Sequence, residues 1–310
     1  MVAVALAALF AALAVRPAAG SPGELRVAAV QLSISAADLA SPAAYVEHIQ
    51  SAVRRCLPFA PDLILFPEYA SAFLAVLPYG GSIRDAGSLE EALHLALERE
   101  PLARDLHDLF LLNSGLAECG LRELFGGLAR RYGVAIGAGS WFAAVPAGGR
   151  TVLVNRAVIF DRQGVELYSQ DKVFLTPTEE RLGLRPGRLE AARPFVLRGR
   201  RVALTLCRDT FFREWEPLLR NAELWVDLRA NGEPYTAEVR ESQQRALPAR
   251  LEGAGVPYGL SVCLTGDLFG LAWEGVSFLA RQEGGTARIL ESAPSLAAEA
   301  VLLVTVPAGD

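Results

Sequence analysis

The chain has 310 residues, of which 52% are apolar and 21% charged, and its 30 basic and 35 acidic side chains leave a formal net charge of −5. Such a composition buries a sizeable core and excludes a disordered chain, while the acidic balance gives no electrostatic reason to bind nucleic acid. The four cysteines, Cys56, Cys119, Cys207 and Cys263, are too widely spread for a zinc site or a small disulfide scaffold, so no metal or disulfide framework is expected and each is judged singly.

Residues 1–23 stand apart from the rest. Met1 to Val15 is apolar throughout and is followed by Arg16 and a loop-like Pro/Gly/Ser stretch to Gly23. The run suits the core of a signal peptide and falls short of the roughly 20 residues of a spanning helix, although no Lys or Arg precedes it. Three readings stay open: an export signal, the tail of a membrane anchor, or an upstream start adding non-native residues. Export or membrane attachment is expected over a cytoplasmic location, with membrane contact through this segment.

From Arg26 the pattern becomes that of alternating strands and helices. Arg26 to Leu32 reads as a strand, and Ser41-Pro42 opens a helix whose Tyr45, Ile49, Val53 and Leu57 recur at helical spacing. Asp62 to Phe66 is a short apolar run, the pattern of a strand covered on both faces, and it stops at Pro67. Residues 79–120 form an insertion carrying His94 and His107, readable as a lid or as an ordinary surface excursion. Leu121 to Tyr132 reads as a helix closed by Gly133, and Val134 to Ser140 as the next buried strand. Thr151 to Phe160 and Val165 to Tyr168 flank the turn Asp161 to Gly164, and Phe195 to Leu197 pairs with Val202 to Leu206. Beyond Cys207 come a helix over 212–221, a strand over 224–228, a helix over 236–251 and a strand over 258–264. A hairpin with strands at Gly275 to Leu279 and Arg288 to Glu291 follows, then a last strand, Val301 to Val306. The mixture of crossovers and hairpins predicts an α/β fold with mixed sheets. Without repeats or linkers, residues 26–306 read as a single domain with the insertion at 79–120.

Chemistry is expected where polar residues close apolar strands, because open α/β sheets place ligands at strand carboxyl ends. Glu68, Lys172 and Cys207 occupy such positions. Cys207 also precedes Asp209 and Thr210, both capping residues, so its thiol is expected to feel helix N-terminal amides. A sulfur nucleophile needs a base, and the only histidines, His48, His94 and His107, do not lie at a strand end. A carboxylate is left for the task. Glu68 suits the base and Lys172 a fixed positive charge that favours thiolate and stabilises an oxyanion. The structural alternative is a buried Glu68–Lys172 ion pair beside an inert Cys207.

The segments Phe66-Pro67-Glu68-Tyr69, Tyr168-Ser-Gln-Asp-Lys172-Val-Phe-Leu175 and Leu206-Cys207-Arg208-Asp209 resemble, in order and spacing, the Glu, Lys and Cys blocks of the nitrilase superfamily of carbon-nitrogen hydrolases. The resemblance runs from about Arg26 to Val306. It implies a four-layer α-β-β-α sandwich with mixed sheets, no cofactor, and a homo-oligomer, typically a dimer. It also implies cleavage of a small-molecule amide or nitrile through a thioester, with Glu68 as general base, Lys172 as oxyanion stabiliser, Cys207 as nucleophile and the Arg208 backbone N–H as a second oxyanion donor. Lys172-x-x-Leu175-x-Pro177-x-x-Glu180 is similar to the segment carrying a second carboxylate, which assigns that role to Glu180, with Glu179 adjacent. Phe174 and Arg208 depart from the amidase pattern of His and an aromatic at those places. Amide hydrolysis is the expected activity, with nitrile hydrolysis, acyl transfer to an amine and a non-catalytic binding protein as rivals.

Overall fold

The computed structural model describes residues 23–307, so the readings of the lead over residues 1–23 lie, except for Gly23, outside the described residues. Thirteen strands are formed among the described residues: β1 (Leu25–Ser35), β2 (Leu63–Leu65), β3 (Ala135–Ala147), β4 (Arg150–Phe160), β5 (Glu166–Asp171), β6 (Phe195–Leu197), β7 (Arg200–Leu206), β8 (Leu224–Ala230), β9 (Tyr258–Leu268), β10 (Leu271–Trp273), β11 (Phe278–Glu283), β12 (Thr286–Ser292) and β13 (Ala300–Val306).

β1 belongs to two sheets. Its first half pairs with β13 from Leu25↔Val306 to Gln31↔Ala300 and, in parallel, with β2; its last four residues pair in parallel with Leu264–Asp267 of β9. One sheet thus runs β5-β4-β3-β2-β1, with β13 on the other side of β1, and the second runs β1-β9-β8-β7-β6 with β10, β11 and β12 attached.

Strand alternation builds the layers, since successive side chains face opposite sides of a sheet. Leu25, Val27 and Ala29 of β1 join Leu63, Leu65, Leu204, Leu206, Val226, Leu228 and Val262 in a core between the sheets. Ala28 and Val30 point the other way and pack with Tyr45, Ile49 and Val53 of the helix Pro42–Cys56. Ala203 and Trp225 leave the second sheet on its far side and meet Leu247 and Leu251 of the helix Ala237–Ala254. Helix, sheet, sheet and helix follow one another, the expected α-β-β-α order.

Several boundaries differ from the sequence reading. The helix expected over 121–132 is the tail of a longer helical run: Leu106–Leu121 continues through the π-helical segment Arg122–Gly126 into Gly127–Tyr132. The helix expected over 212–221 breaks into short turns, Cys207–Phe211, Arg213–Trp215 and Glu216–Leu219, the last opened by Pro217, which cannot donate within a continuous helix. The last hairpin turns at Gly284-Gly285, both at positive φ, so its first strand begins three residues later than expected, at Phe278. The 79–120 insertion packs as ordered helices. Ala92, Ala96, Leu109 and Ala117 are buried in the outer core, and Phe110 meets Phe142 edge-on with ring centroids 4.6 Å apart.

Candidate active site

Three chain segments reach one place because three strands end there. β2 closes into Phe66-Pro67-Glu68, β5 into Lys172 and β7 into Cys207. Glu68 and Lys172 have no solvent exposure, and Cys207 is partly exposed.

The Glu68 loop is tied to β3. Tyr69 takes a left-handed φ of 63° and donates its backbone N–H to Ser140 Oγ at 3.0 Å. Ser71 Oγ donates to the Ala138 carbonyl. This approach requires Gly139, because a Cβ there would lie 2.1 Å from the Pro67 carbonyl oxygen. Tyr69 hydroxyl then donates to Glu179 Oε1 at 2.8 Å.

Lys172 Nζ lies between two carboxylates, 2.9 Å from Glu68 Oε1 and 2.8 Å from Glu179 Oε2. The second acidic partner is therefore Glu179, and the expectation for Glu180 is corrected: Glu180 is exposed. Thr176 caps the short helix Pro177–Arg181, and Glu179 at its third position closes a capping box, accepting the Thr176 N–H at 2.8 Å. That bond aims Glu179 inward, and the ~100° rotation per helical residue turns Glu180 away.

Asn155, from the middle of β4, donates through Nδ2 to Glu68 Oε1 at 2.9 Å and Glu179 Oε1 at 2.8 Å. Sequence reasoning missed it inside a strand-like run; the available signal was an amide within an otherwise largely apolar strand, and the structure shows it fully buried, where an amide needs partners. Glu68 thus spends Oε1 on Lys172 and Asn155 and keeps Oε2 without a partner.

The Cys207 segment is drawn to Lys172 by Asp209. Its Oδ1 accepts the backbone N–H groups of Val173 at 3.1 Å and Phe174 at 2.8 Å, clamping the turn after β7 to the residues that follow Lys172. Burial raises the Asp209 carboxyl to about 8. Phe174 and Arg208, the two departures from the amidase pattern, belong to one assembly: Phe174 stacks on Phe212 with centroids 3.7 Å apart, and the Arg208 guanidinium lies over Phe212 and donates to the Leu175 carbonyl. Arg208 is the second residue of the helical turn Cys207–Phe211, so its N–H has no acceptor within that turn. Cys207 itself has a φ of 49°, a left-handed conformation costing an L-residue roughly 1–2 kcal/mol. Its Sγ lies 4.0 Å from the Ala230 carbonyl oxygen.

The electrostatics couple these groups. Burial raises Glu68 to about 7 against the pull of Lys172 and Asn155. Burial opposes charge on Lys172 as well, but the Glu68 and Glu179 carboxylates outweigh it and hold the group as an ammonium. Glu179 is lowered because Lys172 and its hydrogen bonds overcome burial. Lys172 and Arg229 favour a thiolate at Cys207, but burial and the Glu68 charge outweigh them and raise the thiol. A resting thiol beside a carboxylate of neutral affinity, with a cation alongside, is a pair set for proton transfer at the moment of attack. The histidines lie elsewhere: His48 pairs with Asp38 and Glu299, His94 with Glu98, and His107 Nδ1 meets the Leu182 carbonyl at 2.8 Å.

A family model described as carbon-nitrogen hydrolase matches residues 26–240. No curated protein matches the chain. Among solved structures, a double mutant of the amidase from Nesterenkonia sp. AN1 in complex with acrylamide superposes with a TM-score of 0.64 at 20% identity, covering 94% of both chains. A mutant of the same amidase with covalent addition of the acetamide moiety of fluoroacetamide at the active site cysteine gives 0.63 at 20% identity and the same coverage. A third mutant of that enzyme, described as from the nitrilase superfamily, gives 0.63 at 21% identity, covering 93% of both chains. At these identities the likeness is one of fold.

Proposed function

The chain belongs to the carbon-nitrogen hydrolase family, and on that premise we propose that it cleaves the carbon–nitrogen bond of a small amide, giving acid and ammonia or amine through a thioester on Cys207. The observation that carries this reading is the fully buried Lys172 ammonium held between Glu68 and Glu179 beside the Cys207 turn. The amidase character of the structural relatives supports an amide over a nitrile or an amine acceptor.

Glu68 Oε2 takes the thiol proton as the sulfur bonds to the carbonyl carbon. The oxyanion that forms is held by Lys172 Nζ and the Arg208 backbone N–H, and one such donor is worth roughly 3–4 kcal/mol in hydrolases. Glu68 returns its proton to the nitrogen as the carbon–nitrogen bond breaks. It then takes a proton from water, which attacks the thioester; the acid leaves, and the sulfur recovers a proton from Glu68. Glu179 keeps Lys172 paired while Glu68 is neutral, so the cation is never buried alone.

Activity that requires the Glu68 carboxylate appears as pH rises through its affinity of about 7 and fades below it. The expected kcat/KM profile for ammonia release from a small amide has an acidic limb near pH 7. Glu68→Gln lowers turnover by about 10² to 10⁴-fold at every pH; near wild-type rates in that variant reassign the base. Assaying the matching nitrile in parallel decides between the two substrate classes.

Glu179→Gln is expected to lower kcat by on the order of 10²-fold, because Lys172 loses a charged partner at the step in which Glu68 is protonated. Glu180→Gln, at an exposed position, leaves kcat within about twofold, as surface substitutions do. Equal losses in the two variants, measured by the same ammonia assay, contradict the assignment.

A further inference from the structure

Beneath the Cys207 turn lies a second buried charge pair. β8 is a central strand of the second sheet, and its Leu224, Val226 and Leu228 face the inter-sheet core. On its other face stand Trp225, Asp227 and Arg229, with Asp227 fully buried and Arg229 1% exposed. Replacing such a pair by apolar residues is often neutral or stabilising, so its presence in a central strand has no ready explanation in stability.

Its surroundings join the nucleophile turn to the Ala237–Ala254 helix. Arg229 Nε donates to Asp227 Oδ2, its guanidinium lies 5.6 Å from the Phe211 ring centroid, and Nη1 reaches Gln243 of the Ala237–Ala254 helix at 3.4 Å. Asp227 is the register partner of Thr205 on the neighbouring strand β7, which sets its carboxylate beneath the turn and in electrostatic reach of the Cys207 N–H and the Thr210 hydroxyl; it forms no hydrogen bond to either, and its Oδ1 has no partner. Thr210 Oγ1 lies 3.0 Å from Thr205 Oγ1, which accepts the Trp225 indole N–H at 2.9 Å. Thr205, Thr210 and Trp225 are all fully buried.

We propose that Asp227, oriented by Arg229, is a positioning residue that anchors the left-handed Cys207 turn from below through the Cys207 N–H and the Thr210 hydroxyl. This rests on the reading of Cys207 as nucleophile. A non-glycine residue stays in a left-handed conformation only where its surroundings hold it; Asp209 clamps the turn on one side, and Asp227 stands beneath it on the other, beside Thr205. The open Oδ1 gives the turn an acceptor to close on when the sulfur moves onto the substrate carbon, since catalytic hydrogen bonds are often long until substrate binds.

The test uses iodoacetamide on the full chain, with labelling followed by peptide mass. Cys119 is exposed and serves as an internal reference, while Cys56 and Cys263 are buried. Thr210→Val, and the neutral double variant Asp227→Asn with Arg229→Gln, are expected to lower the Cys207-to-Cys119 rate ratio at least tenfold. Thr210→Ser, which keeps the hydroxyl, retains at least half of it. A folded double variant with a ratio within twofold of wild type overturns the proposal. So does Thr210→Ser falling as far as Thr210→Val; that comparison decides if the double variant fails to fold. Labelling reads the turn without a substrate, so the positioning role fails separately from the hydrolase reading. The hydrolase reading, and this proposal with it, falls if Cys207→Ala still releases ammonia from amides that the wild-type protein turns over.

Discussion

Cys207→Ala is expected to lower amide turnover by about 10⁴-fold or more while the protein stays folded. Without the sulfur no thioester forms, and what remains is direct attack of water at a carbonyl polarised by Lys172 and the Arg208 N–H, a residual route comparable to that of other hydrolases stripped of their nucleophile. The stability cost is small. Cys207 is partly exposed, its Sγ makes only a long hydrogen bond, 4.0 Å to the Ala230 carbonyl, and Ala meets the same left-handed backbone penalty as Cys. Ammonia release paired with thermal unfolding separates the two effects; a melting temperature lost together with activity means that the cysteine is a packing residue.

Lys172→Met is expected to have the largest effect on stability. It removes the cation between Glu68 and Glu179, whose Oε1 atoms both lie within 3 Å of the same Asn155 amide nitrogen. Two buried carboxylates then face each other, and breaking a buried pair in this way costs about 3–5 kcal/mol. The pH dependence carries the signature. In the variant both folded carboxyl affinities lie above their unfolded values, so the folded chain binds more protons and gains stability as pH falls. Adding Glu179→Gln restores part of the loss at neutral pH. Chemical denaturation at pH 5 and pH 8 measures both effects, and a variant as stable as wild type at pH 8 means that Lys172 is not the charge holding these carboxylates.

The parts of this site legible in the sequence were those marked by a change of period. Glu68 and Cys207 each end an apolar run, and Lys172 follows the mixed hairpin strand Glu166–Asp171; a polar residue at a strand's carboxyl end has few purposes in a sheet of this kind. Glu179 was missed by one position because two adjacent glutamates are equivalent until a helical turn sends them in directions ~100° apart, and it is the Thr176 cap that decides which faces Lys172. Asn155 was hidden because its partners, Glu68 and Glu179, are 87 and 24 residues away. The sequence reads Asp209 as a helix cap, and its Oδ2 does accept the Leu206 N–H at the start of the turn; what the sequence does not show is that Oδ1 also clamps Val173 and Phe174. The Asp227 and Arg229 pair was visible as two charges in a strand otherwise apolar. Ending that strand at Leu228, two residues short of Ala230, leaves Arg229 outside it and conceals that the two charges share its buried part.

Hydrolysis by this route needs Glu68, Lys172 and Cys207 to act at one centre through a covalent intermediate. Rapid acid quenching of the wild-type protein during turnover of a panel of small amides, followed by intact mass and peptide mapping, tests this most directly. The expected result is a mass increment equal to the acyl group on the peptide containing Cys207, absent from Cys207→Ala and from the untreated protein. Steady ammonia release with no acyl group on Cys207 for any amide, or with the increment on another residue, would contradict it.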